Sequence, residues 1–405
     1  MANYAMFIIL MAIGCGLLDL LTDHWPAMQR QLFPVVTIGL YVLCIIAYYY
    51  GPDILTYVPY YEEIARPEQL IHNPKLAGSF EFGYAMFCSL MHAMGLSYWG
   101  MTAVVKTLYF IALWVLLRRL PKRQIFAMAC VVMTDINLIM HENRQCLAVS
   151  FFIFMILLIE RRQYLLGILF AVITMTMHKS GFIPVGLTVV GIFFYHNRQY
   201  ATIYTLLILG LLVIITLPVQ RISSSLIQYL PLPSSYMASL THHLSVGLQF
   251  QTIAIIYLAL LLVFSLYLSY TQPSRYTWIT FLVMVGMAVI VLLYPYYFLL
   301  IRVRSYFTPF IVYYLIILLS SKEYTSSVPL GNMIKQALML LVIAFYLHVA
   351  ISQERGARAL HSPVYKACTV FELRHASSKQ IRARQFRIAR NYWKTDYMRQ
   401  AKSSL

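Results

Sequence analysis

A chain of 405 residues that is 60% hydrophobic and only 11% charged, with a mean hydropathy of +0.70, lies far outside the soluble range, where about a quarter of residues are charged. This excludes a water-soluble enzyme or binding module and predicts an all-α, polytopic integral membrane protein. The net charge of +17 does not point to nucleic acid, because 12 Lys/Arg against 3 Asp/Glu, +9 of the excess, fall in residues 353–405, a basic tail behind a transmembrane region of residues 1–352.

In chain order, apolar runs long enough to cross about 30 Å of hydrocarbon place spans at 4–21, 32–50, 99–117, 124–140, 145–159, 164–177, 181–195, 200–217, 248–270, 277–299, 305–320 and 331–351, about twelve in all. The first has no basic segment before it and no small-residue cleavage signal after it, so it reads as a retained span. Residues 80–96 are apolar too, but Glu81, Gly83, Ser89, His92 and Gly95 interrupt them. They are expected to form a re-entrant or amphipathic helix, which leaves residues 51–98 as one external region.

Basic clusters follow every second connection, at Arg118–Arg123, Arg161–Arg162, Arg198, Arg275 and Lys322. Positive charge in short loops marks the cytoplasmic side, so the N-terminus and residues 51–98 face outward. Asp53, Glu81, His141, Arg144, His178, Lys179, Arg302 and Arg304 then gather at that one outer face. Twelve spans would also leave the basic tail outside, against the charge rule. The tail carries a weak amphipathic pattern, with Ile381, Phe386, Ile388, Tyr392 and Trp393 among arginines, suited to membrane lipids of an anionic leaflet. Six cysteines lie mostly in apolar runs without CxxC or zinc spacing, and read as small buried hydrophobes.

Several groups can carry chemistry. Arg144 heads an apolar helix in Asn143-Arg144-Gln145-Cys146-Leu147-Ala148, where a guanidinium could hold phosphate oxygens bidentately or snorkel to headgroups. His178-Lys179-Ser180 repeats the pattern one hairpin later, and His178 could donate to phosphate or relay a proton. Arg302 and Arg304 sit among tyrosines, on one side if the stretch is extended and about 200° apart if it is helical. Asp53 and Glu81, with Glu62, Glu63 and Glu68 nearby, offer a carboxylate that could take a proton from a sugar hydroxyl, and Tyr57 and Tyr60 suit sugar stacking. Neither a phosphate-cradling Gly-rich loop nor GxSxG, HExxH or DxD occurs, so metal-assisted soluble-type chemistry finds no support.

The run Gly51-x-Asp53-x-x-x-Tyr57-x-x-Tyr60, then Phe80-Glu81-x-Gly83-Tyr84, Asn143-Arg144-Gln145-x-Leu147-Ala148, His178-Lys179-Ser180 and Tyr306-Phe307, together resemble the EpsG family of bacterial exopolysaccharide proteins, related to the Wzy-type capsule and O-antigen polymerases. The resemblance covers about residues 30 to 320. Where family members more often carry an arginine before the Asp run, this chain has Tyr48-Tyr49-Tyr50.

The resemblance implies a GT-C-like glycosyltransferase of the bacterial cytoplasmic membrane that polymerises undecaprenyl-diphosphate-linked oligosaccharides without cofactor or metal. Arg144, His178, Lys179, Arg302 and Arg304 would hold the diphosphate, and Asp53 or Glu81 would deprotonate the acceptor. A chain-length regulator and a flippase of the same pathway are the implied partners. A single-sugar transferase using a polyprenyl-phosphate donor, and a flippase or transporter of the lipid-linked sugar, are the rival readings. The transporter would call for charges spread through the midplane, for which Lys106, Asp135 and Lys335 are the candidates.

Overall fold

Long apolar runs satisfy their backbone inside a membrane only as helices or closed barrels. The computed structural model describes residues 4–22, 25–51, 53–65, 80–196, 278–292, 297–320, 368–369 and 378–403, and these are almost wholly helical. The order is α1 (Tyr4–Leu21), α2 (Pro26–Ile45), β1 (Ala47–Tyr48), α3 (Ile54–Pro59) running into a π-helical turn (Tyr60–Ile64), α4 (Phe82–Ala93), α5 (Tyr98–Leu117), α6 (Gln124–Thr134) and α7 (Ile136–Met140). It continues with α8 (Asn143–Glu160), α9 (Tyr164–Met177), α10 (Phe182–His196), α11 (Trp278–Leu292), α12 (Tyr297–Ser320), β2 (Cys368–Thr369) and α13 (Ser378–Ser403). Among the described residues, α1, α2, α5, α8 and α12 are long and apolar enough to cross a membrane. The spans expected at 200–217, 248–270 and 331–351, and the 220–247 loop, lie outside the described residues.

Side chains sort the helices into centre and rim. Every residue of α6 from Ile125 to Thr134 is buried, as a helix apolar on all faces requires. It packs on α1, α2 and α12, while α8 packs on α5 and α9. α1, α2 and α9 turn Leu10, Val35, Ile38, Leu165 and Ile168 outward, the inverse of a soluble surface and suited to lipid. α4, with 12 residues, reaches only about 18 Å at 1.5 Å per residue, too short to span. Its exposed residues Phe82, Met86 and Leu90, continued by Met94 just past its end, are spaced every four residues and form one outward apolar stripe.

Three boundaries differ from expectation. The second span, expected at 32–50, is a helix that starts at Pro26, where a missing N–H is harmless, and ends at Ile45. Tyr48 and Tyr49, apolar by composition, instead pack edge-on against Trp99 with ring centroids at 4.8 Å. The span expected at 124–140 is broken at Asp135, whose backbone leaves the helical region while its carboxylate accepts a hydrogen bond from Tyr109 (2.8 Å). A broken helix at membrane depth is tolerated because it is buried in protein. Arg302 and Arg304, expected in an external connection, lie inside α12. Helical phase separates them: Arg302 is exposed and Arg304 buried.

Polar groups stitch the two ends of the bundle. At one end Asp19 Oδ2 accepts from the Phe126 backbone N–H (3.0 Å), capping α6 from outside, while Gln29 and Arg123 donate to the Asp19 carbonyl. Arg119 pairs with Glu160 at the same end. At the other end the Lys106 ammonium donates to the Cys44 carbonyl (2.7 Å) in the last turn of α2, where a cation meets the negative helix terminus.

The tail also belongs to this second end. β2 pairs antiparallel with β1 (Ala47 opposite Thr369, Tyr48 opposite Cys368), and α13 packs on α3 with Arg382 bonded to Glu62 (2.7 Å). Its apolar side, expected to suit a lipid leaflet, faces protein: Ala389 is fully buried, and Ile381, Phe386 and Ile388 pack against the core.

Candidate active site

Gly51 opens the site. Its φ of +82° is left-handed, and a Cβ there would stand 2.7 Å from His141 Cγ, so only glycine lets the chain turn this close to the imidazole. The turn delivers Asp53 to the N-terminus of α3. An aspartate there normally caps the helix, but this side chain makes no cap bond. It turns instead to His141, whose Nδ1 lies 3.4 Å from Asp53 Oδ2, and it remains 31% exposed.

Further along α3, Pro59 cannot donate to the preceding turn. The following turn widens, with the Ala65 N–H bonded to the Tyr60 carbonyl five residues back (2.9 Å), a helical irregularity frequent at functional sites. It sets Tyr57, Tyr60 and Tyr61 inward. Phe80 stacks on Tyr57 at 5.4 Å and meets Tyr60 edge-on at 4.2 Å. Both tyrosines expected to stack on sugar are therefore buried: Tyr60 packs against Phe80, and the Tyr57 hydroxyl accepts from Arg144 Nε (2.8 Å).

Arg144, in the first turn of α8, is the hub of a second group. Its guanidinium lies over Phe80 (4.7 Å), and its Nη1 donates to Glu81 Oε2 (2.7 Å). With Nε and one Nη1 hydrogen used, three of its five donors are uncommitted in these bonds. Glu81 Oε1 accepts the Lys179 backbone N–H (3.2 Å). Gly83 allows this approach, since a Cβ there would meet Thr176 at 2.5 Å, so α4 lies directly against the end of α9. Burial alone would raise the Glu81 carboxyl, but the Arg144 charge, with backbone hydrogen bonds, outweighs it and the pKa is lowered. Glu81 is thus an ionised partner of Arg144.

His178 follows α9, with Nδ1 accepting from the Ser180 backbone N–H (3.2 Å) and 2.6 Å from the Ser180 hydroxyl. That leaves the ring proton on Nε2 in the neutral form. Burial, reinforced by Arg302, Arg144 and Lys179 against the opposing pull of Glu81, lowers the His178 pKa to about 3. The Ser180 hydroxyl also lies 3.3 Å from Tyr306 OH on α12, tying α12 to the α9–α10 connection. Lys179 is exposed beside it.

The structure thus brings Asp53, Glu81, Arg144, His178, Lys179 and Arg302 to one end of the bundle, while Arg304 lies within electrostatic reach of Asp135 and Glu142. His141 stands at the outer face in sequence, but its role as the neighbour of Asp53 is visible only in three dimensions. Ser180 and Tyr306 were likewise embedded in motif strings without a role. Beside His141 is a cavity of about 10 Å³, lined by Tyr50, Tyr98, Thr102, Lys106 and Asn143, the size of one water. Among the described residues, no group of three or more His, Cys, Asp or Glu side chains is arranged to hold a metal ion.

A comparison with known protein families matches residues 32–360 to the EpsG family, most of the chain. The chain belongs to the EpsG family. Membership, with several apolar helices, makes this a membrane protein of polysaccharide-polymerase-like, glycosyltransferase-like character. The match includes every candidate site residue and β1, and ends before β2 and α13. No curated protein and no solved structure matches the chain.

Proposed function

We propose that the chain is a polysaccharide polymerase joining undecaprenyl-diphosphate-linked oligosaccharide repeat units at the outer face of the bacterial cytoplasmic membrane. One observation carries the reading within the family: a carboxylate–imidazole pair, Asp53 and His141, stands at the same end of the bundle as Arg144, His178, Lys179 and Arg302. A glycosyl transfer between lipid-linked chains needs both a base and a cationic cradle. The opposite end carries Arg118–Arg123 and Arg161–Arg162, and positive charge in short loops marks the cytoplasm, which supports an outward-facing site. A GT-C-like bundle of about twelve spans belongs to the same proposal.

In this reading the acceptor sugar hydroxyl attacks the anomeric carbon of the donor as the bond from that carbon to the lipid diphosphate breaks. The diphosphate leaves with the bonding electron pair. Arg144, Lys179 and Arg302, with the Nε2–H of His178, meet its charge by preorganised hydrogen bonds and cations. Asp53 takes the hydroxyl proton, and His141 orients its carboxylate. Glu81 holds Arg144 in place and takes no proton, because both of its oxygens already accept from donors. Tyr57 acts from the other side of the same guanidinium. The chain-length regulator and flippase of the pathway are the proposed partners.

Deleting the gene and examining the surface glycan tests the proposal. Glycan reduced to a single repeat unit supports a polymerase. Complete loss of glycan indicates a flippase, and loss of one sugar indicates a single-sugar transferase; either result overturns the proposal.

A further inference from the structure

α13 has two unlike faces, and the fold has already used one of them. Ile381, Gln385, Phe386, Ile388 and Ala389 turn toward the protein, and Arg382 reaches Glu62 on the π-helical turn nine residues beyond Asp53. Lys379, Arg384, Arg387 and Arg390 point away and are exposed. At 100° per residue they fill a continuous arc opposite the buried side and extend over about 16 Å of helix. No Asp or Glu occurs between Ser378 and Asn391, so no acidic side chain is interleaved with them on the helix.

An interfacial membrane helix binds by inserting its apolar face below the headgroups. Here the apolar face over Ile381–Ala389 is covered by protein, and among the described residues the exposed face, from Lys379 to Arg390, carries cations without a large apolar side chain. It is built for a flexible polyanion in water. β1–β2 pairing and the Arg382–Glu62 pair hold it on the segment that delivers Asp53, at the rim of the candidate site.

We propose that the exposed basic face of α13 is a docking track for an anionic polysaccharide, the acidic chain being elongated at the site. This rests on the polymerase reading and narrows its substrate to repeat units bearing carboxylate or other negative groups.

The test uses full-length protein in phosphatidylcholine nanodiscs, with labelled polygalacturonate as probe and dextran of equal length as neutral control. Polygalacturonate should bind, with affinity falling as salt rises, and dextran should not. A variant carrying Lys379→Gln, Arg384→Gln, Arg387→Gln and Arg390→Gln should bind at least about tenfold more weakly with unchanged thermal unfolding. Replacing the three arginines by lysine should keep most of the binding. Unweakened binding in the glutamine variant, or equal binding of dextran, overturns the track. So does a variant whose only defect is lost association with phosphatidylglycerol vesicles, which assigns the face to lipid. Binding needs no turnover, so Arg144→Ala should bind polygalacturonate normally; if Arg144→Ala also makes normal polymer, the polymerase reading fails while the track is judged by binding alone.

Discussion

Glu81→Gln separates the two carboxylates at this end of the bundle. Glu81 is 9% exposed in its side chain and Arg144 24%, and two donors converge on the carboxylate: Arg144 Nη1 at 2.7 Å and the Lys179 N–H at 3.2 Å. Glutamine keeps the shape but has one acceptor oxygen, so whichever way the amide turns, an NH₂ group faces a donor. The loss is one hydrogen bond to a charged group in a part-buried site, about 1.5–3 kcal/mol. Asp53→Asn removes one long contact of 3.4 Å at a side chain 31% exposed, a pair of the class that contributes about 0–1 kcal/mol. Thermal unfolding of detergent-purified protein should therefore drop by several degrees for Glu81→Gln and barely move for Asp53→Asn. Polymer formation from lipid-linked repeat units should show the reverse severity, with Asp53→Asn falling by about 10²–10⁴, the usual contribution of a general base. An Asp53→Asn protein with normal polymer output, or a Glu81→Gln protein that unfolds at the parent temperature, refutes this assignment.

Arg144→Ala should stop polymer and accumulate single lipid-linked units, and Arg144→Lys should recover little, because an ammonium cannot bond Tyr57 and Glu81 in the same plane while presenting further donors; glycan electrophoresis reads both. Gly51→Ala should give folded but inactive protein, since the left-handed φ and the 2.7 Å approach to His141 push the imidazole away from Asp53; unimpaired polymer would contradict that. The His178 pKa is depressed from its ordinary 6.5 to about 3, so the unfolded chain binds more protons between those values and stability must fall as pH drops from about 6.5 towards 3. Comparison of unfolding at pH 7 and pH 5 should show a smaller loss in His178→Gln than in the parent. Arg304→Ala should lower thermal stability more than Arg302→Ala, and Arg302→Ala should weaken polymerisation more; equal effects of both on both measurements would contradict the helical separation of the two side chains.

Much of the bundle was legible because membrane helices are written in hydropathy. Tyr4–Leu21, Tyr98–Leu117, Asn143–Glu160 and Tyr164–Met177 begin and end where the apolar runs do. The misplaced boundaries have physical causes that hydropathy does not record. Tyr48–Tyr50 counts as apolar, but its rings leave the helix to pack on Trp99 and His141, and β1 finds its partner more than 300 residues away. Asp135 lies within a run apolar enough to read as one span, yet a buried carboxylate must be bonded, and meeting Tyr109 ends the helix. Gathering of charge at one end followed from counting spans. The pairing of Asp53 with His141, and of Glu81 with Arg144, could not follow, because each joins residues more than 60 apart in sequence through contacts that no local pattern encodes.

Helical phase also divides the cations. In an extended segment Arg302 and Arg304 would face one ligand together; on α12 they stand about 200° apart. Arg302 is exposed, disfavours protonation of His178, and offers its carbonyl to Gln145 (3.0 Å), so it shares a face with Arg144 and Lys179. Arg304 is buried toward Asp135 and Glu142. There it offsets the Asp135 carboxylate that the broken α6–α7 element brings inside, where an uncompensated charge is costly. One short stretch thus serves two needs. It places an exposed cation beside His178, and an inward cation where the bundle interrupts a helix. The acidic groups divide in the same way: Glu81 is committed to Arg144, while Asp53, turned from its own helix toward His141, keeps the exposure that an acceptor hydroxyl requires.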